Sequence, residues 1–107
     1  AYTSHQANDP HYVIPNGESM VQFQKRVWTC IENLAEKHEG KSIIIVTHGG
    51  TIAVIIYKIL SLDLSTKRPF STLNTSYNEI YQSGDRWILK VLGDTSHLFY
   101  TALEDIV

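Results

Sequence analysis

A histidine followed by two glycines interrupts the most apolar part of this 107-residue sequence. His48, Gly49 and Gly50 lie between Ile43 to Val46 and a second apolar stretch, Thr51 to Leu62. Imidazole changes charge near neutral pH, and glycines let a ligand approach the backbone closely. If a helix begins after the glycines, its free amides can hold an anion. These residues predict a phosphate or carboxylate site, and the alternative is a histidine that ends a strand and bonds a backbone carbonyl.

The residues on either side of His48 predict the elements that position it. Ile43 to Val46 are four consecutive β-branched residues, a pattern typical of a strand covered on both faces, so Ser42 to Thr47 is expected to be an interior parallel strand. Thr51 to Leu62 contains no proline or glycine and predicts a mostly buried helix. His48 would then lie at the carboxyl end of a strand, where open α/β sheets carry their chemistry.

A longer helix is predicted upstream, over Ser19 to His38. Ser19 and Gln22 have the spacing of a capping box. Apolar side chains then recur at intervals of three and four, as one buried face of a helix requires. These are Met20, Phe23, Val27, Ile31 and Leu34.

Two shorter strands are predicted near the carboxyl end. Ser76 to Gln82 and Arg86 to Leu92 flank Gly84 and Asp85, which favours a hairpin at the edge of the sheet. Residues 1–15 show no periodicity and are expected to be a loop. The predicted fold class is α/β, a three-layer αβα sandwich with a mainly parallel sheet.

Composition narrows the class of protein. Nine Lys and Arg against eleven Asp and Glu give a net charge of −2, so neither a nucleic-acid surface nor an anionic membrane surface is indicated. No apolar run reaches the roughly 20 residues of a membrane helix. The lone Cys30 excludes an intramolecular disulfide, and no Cys and His cluster has metal-binding spacing. We expect a soluble, cytoplasmic protein without a metal.

Several motifs together resemble one family. "PNGES", the following helix with Arg26, then "IIIVTHGG", "NTSYNEI" and "RWILKVLGDTSHL" are similar to the carboxyl-terminal half of the histidine phosphatase superfamily, the phosphoglycerate mutase-like enzymes. The resemblance implies a phosphoglycerate mutase-like sandwich of which residues 1–107 form the carboxyl-terminal portion. It implies that His48 contacts the transferred phosphoryl group and that the amide of Gly49 binds phosphate. The ligand would be a small phosphorylated substrate or inorganic phosphate, with no cofactor.

The sequence also departs from that family. The family's nucleophilic histidine lies in an Arg-His-Gly motif on the first strand, and this chain contains no Arg-His pair. His5 and His11 lack both neighbours of that motif and are not expected to be nucleophiles. Glu18 lies downstream of the family's proton donor and is expected to brace the loop or helix start. The resemblance therefore implies a phosphate monoester hydrolase, and the isolated chain is not expected to be a competent enzyme.

Two other functions stay open. The chain could be a non-catalytic phosphate-binding or protein-interaction module. It could also be a serine esterase fragment, although no G-x-S-x-G motif is present. As partners we expect a second copy of the chain or a missing N-terminal segment, because a central strand needs neighbours on both edges.

The remaining charged residues have simpler interpretations. Arg26 is two turns beyond Glu18 on the predicted helix and could pair with a carboxylate. Lys67 and Arg68 are expected to be solvated. His38, near a helix carboxyl end, is favourable with the helix dipole and needs no further role.

Overall fold

The structure is a computed structural model that describes residues 9–13, 15, 17–71 and 76–97. Their elements are, in chain order, helix α1 (Met20–Lys37), helix α2 (Gly49–Ile59), strand β1 (Tyr77–Ser83) and strand β2 (Arg86–Asp94). The chain divides into two compact units, Ala1–Lys67 and Arg68–Val107. The helices belong to the first unit and the strands to the second.

Helix α1 begins at the capping box that the sequence predicted. The Oγ of Ser19 accepts a hydrogen bond from the Gln22 amide at 3.1 Å, and the Gln22 Oε1 accepts one from the Ser19 amide at 2.8 Å. Two amides that would otherwise lack a partner are thereby satisfied. The helix ends at Lys37 with His38 as its C-cap, so the prediction of a helix over Ser19 to His38 is confirmed.

Helix α2 packs against α1 and supplies most of the core of the first unit. Its buried residues are Ala53, Val54, Ile56 and Tyr57, and α1 contributes Val27 and Ile31. The Gln24 side chain also donates a hydrogen bond from Nε2 to the Val54 carbonyl at 2.9 Å. The helix was predicted over Thr51 to Leu62, whereas it begins two residues earlier and ends three residues earlier. Both glycines are therefore inside the helix.

The end of α2 is a Schellman motif. The Leu62 amide donates to the Tyr57 carbonyl at 2.9 Å, and the Ser61 amide donates to the Lys58 carbonyl at 3.2 Å. Ser61 adopts a left-handed backbone with φ of 56°. Glycine usually occupies this position because it has no Cβ to clash there. This turn ends the helix before Leu62.

The structure of residues 42–48 contradicts the prediction of an interior strand at Ser42 to Thr47. They belong to no strand in the structure, and Ile43 to Val46 are exposed. A strand forms only where a neighbouring backbone accepts and donates its hydrogen bonds, and the described residues of the first unit contain no other strand. The four β-branched residues therefore belong to no strand, although their pattern is typical of one.

The predicted hairpin is present in the second unit. β1 and β2 pair antiparallel, and Gly84 has φ of 64° at the first central position of the turn, the pattern that a type II′ turn requires. Near its open end the register shifts on both sides of Glu79. Gly93 also has φ of 64°, and a Cβ built there would lie 2.5 Å from the Ser71 carbonyl oxygen. Only glycine fits at that point of β2.

The described elements therefore make a small α/β protein with two helices and an antiparallel two-stranded sheet. The mainly parallel sheet is not found among the described residues. The three-layer sandwich stays a prediction.

We predict that Ser61→Gly raises the free energy of unfolding by about 0.5–1 kcal/mol. Glycine relieves the strain of the left-handed backbone at residue 61, and the greater entropy that it gives the unfolded chain cancels only part of this gain. Urea denaturation followed by circular dichroism should show a higher midpoint with an unchanged slope. Ser61→Ala keeps the Cβ and should behave like the wild type. A midpoint for Ser61→Gly at or below that of Ser61→Ala would contradict the assignment of strain to this residue.

Candidate functional site

His48 lies at the N-cap of α2, with an extended backbone of φ −95° and ψ 158°. Its carbonyl accepts the first helical hydrogen bond, from the Ile52 amide at 3.1 Å. Its side chain is exposed and makes no capping hydrogen bond. A side-chain cap typically contributes about 1 kcal/mol to a helix, so this helix start forgoes that contribution.

The first turn of α2 presents backbone amides that make no hydrogen bond to another described residue. The N–H groups of Gly49, Gly50 and Thr51 precede the first intrahelical bond, and no acidic residue stands in this turn to neutralise the positive end of the helix dipole. A Cβ built on Gly50 would meet no atom within 4 Å, so there is open space beside the turn. The arrangement can hold an anion on backbone amides with an imidazole beside it.

The rest of the first unit fixes the position of this helix start. One side of α2 is buried against α1, and the Tyr57 hydroxyl donates to the Thr66 carbonyl at 2.7 Å, which ties the following loop to the helix. Because α2 is anchored along its length, the direction of its first turn is set by the core. In the structure α2 begins directly after His48, two residues before its predicted start, so His48 and Gly49 lie together at its N-terminal end.

Glu18 and Arg26 form a separate ion pair beside the start of α1. The Arg26 Nη2 lies 2.7 Å from the Glu18 Oε1, and Nε donates to the same oxygen at 3.2 Å. The hydrogen bond with Glu18 raises the pKa of Arg26 above its ordinary value. The guanidinium also lies 5.2 Å from the ring centroid of Phe23. No hydrogen bond or ion pair among the described residues joins this pair to His48, so its described contacts are those of a brace for the helix start.

A second polar cluster, on the hairpin, was not anticipated from the sequence. The Tyr77 hydroxyl donates to the Glu79 Oε1 at 2.8 Å, and the Lys90 Nζ lies 3.1 Å from the Glu79 Oε2. The hydrogen bond from Tyr77 is the main cause of the lowered pKa of Glu79, and Lys90 adds to it. The i,i+2 spacing that brings Tyr77 to Glu79 could be read from the sequence. The ion pair between Glu79 and Lys90 depends on the shifted register of the strands and could not.

The other predicted residues are not brought to His48 by any described contact. His11 is exposed, and its backbone amide donates to the Asp9 carboxylate at 2.9 Å. Lys67 and Arg68 are exposed. His5 lies outside the described residues. In the described part of the chain no group of His, Cys, Asp and Glu could hold a metal ion.

Neither helix in the described part of the chain combines the length and the apolar composition of a membrane span.

Comparison with protein families identifies the class of protein to which this chain belongs. The sequence model of the histidine phosphatase superfamily (branch 1) matches residues 1–95. Because this match covers most of the chain, the chain belongs to the histidine phosphatase superfamily.

Individual relatives agree with that assignment. Phosphoglycerate mutase-like protein 4 of Arabidopsis thaliana is 35% identical over 100 residues, which are 92% of this chain and 42% of the relative. Metal-independent phosphoserine phosphatase of the same plant is 33% identical over 99 residues, 92% of this chain and 40% of the relative. A probable phosphoglycerate mutase GpmB from Salmonella arizonae is 30% identical over 98 residues, 87% of this chain and 46% of the relative.

A solved structure has the same fold over the matched part. The Bacillus stearothermophilus protein YhfR superposes with a TM-score of 0.80 at 28% identity, covering 88% of this chain and 48% of that protein. The chain therefore spans less than half the length of the relatives that it matches.

Proposed function

We propose that His48 and the amide of Gly49 form the phosphate-binding part of a histidine phosphatase, and that the chain corresponds to the carboxyl-terminal half of that fold. The observation that carries this proposal is the exposed His48 at the N-cap of α2, without a capping hydrogen bond and next to free amides. Membership of the histidine phosphatase superfamily supports phosphate as the proposed ligand.

The proposed ligand is inorganic phosphate or the phosphate group of a small monoester. The relatives' names include a phosphoglycerate mutase-like protein and a phosphoserine phosphatase, and both names refer to small phosphate monoesters. Backbone amides and a cationic imidazole suit the phosphoryl oxygens, because phosphoryl transfer is accelerated mainly by positioning and by neutralising their charge. We propose the same reaction class here, hydrolysis or transfer of a phosphate monoester, with no cofactor.

The two proposed groups differ in what they supply. The imidazole of His48 provides a donor and, when protonated, a charge, whereas the Gly49 amide provides a donor in a fixed direction at the positive end of α2. Neither group is a nucleophile in this proposal. The nucleophilic histidine that the family resemblance implies has no counterpart in an Arg-His-Gly motif of this chain.

We also propose a cytoplasmic location. The only cysteine, Cys30, is free and exposed, as a reducing compartment permits.

The role of His48 predicts a selective loss of anion binding. In wild-type protein, titration with phosphate, tungstate or vanadate should shift the His48 imidazole and Gly49 amide resonances in NMR spectra. His48→Ala should weaken phosphate binding by at least about tenfold, because it removes a charge-assisted contact. The control His38→Ala removes the C-cap histidine of α1, which has no part in the proposed site, and should bind phosphate normally. A titration that shifts neither the imidazole resonances of His48 nor the amide resonance of Gly49 would contradict this assignment of the phosphate site.

The amide of Gly49 can be tested by deleting the donor alone. Gly49 is the first helical residue and His48 before it is extended, so both positions suit a proline at residue 49. Gly49→Pro should keep the helical circular dichroism signal and weaken phosphate binding by about tenfold. Gly50→Ala keeps every amide, has open space for its Cβ, and should show the smaller loss. Equal phosphate affinity for Gly49→Pro and wild type would exclude the amide from the site.

The isolated 107-residue chain should hydrolyse p-nitrophenyl phosphate negligibly, because it supplies one pocket histidine and no Arg-His-Gly nucleophile. The measurement is release of p-nitrophenol by pure protein, with His48→Ala giving the background rate. Robust turnover that His5→Ala or His11→Ala abolishes would show that the nucleophile lies within this chain. Phosphate binding without turnover is the expected combination.

A further inference from the structure

We draw no further inference here: the strongest candidate, the exposed apolar segment Ile43 to Val46 that precedes α2, carries none because nothing in the structure shows what covers it.

Discussion

The burial of one side of α2 against α1 is the interaction on which the first unit depends. Val54 and Ile56 have the most completely buried large side chains of the described residues, and Val27 and Ile31 belong to the same core. Burying side chains of this size contributes about 1.5–3 kcal/mol each, more than any exposed ion pair of this chain can. The core therefore decides where α2 begins, and with it the position of His48 and of the amides that follow.

Sequence patterns predicted the elements whose causes are local. The Ser19 and Gln22 capping box, the apolar stripe of α1 and the Gly84 turn each depend on residues within a few positions of one another, and the structure contains all three. The interior strand at Ser42 to Thr47 failed because a strand also requires a second backbone, which its own residues cannot supply. Helix α2 begins two residues earlier than predicted, because packing along the helix outweighs the roughly 1 kcal/mol cost of a glycine.

The candidate site could be predicted only in part. The position of His48 before a helix followed from a glycine pair between two apolar runs, whereas the phosphate chemistry proposed for it rests on family resemblance. The spacing of Glu18 and Arg26 indicated that Arg26 could pair with a carboxylate, and the structure contains this ion pair. The cluster around Glu79 could not be predicted, because its ion pair with Lys90 depends on the shifts in strand register on both sides of Glu79. Contacts across a shifted ladder cannot be read from residue types alone.

The division of the chain into two units has a consequence for the order in which its contacts can form. In the first unit the helices are separated by residues 38–48, and their packing joins residues as far apart as Gln24 and Val54. In the second unit the strands are closed by a two-residue turn at Gly84 and Asp85. Closing a longer loop costs more chain entropy before its contacts are gained, whereas hairpins form within about 1–10 µs. The hairpin can therefore form before α2 has packed on α1 and fixed the first turn that follows His48.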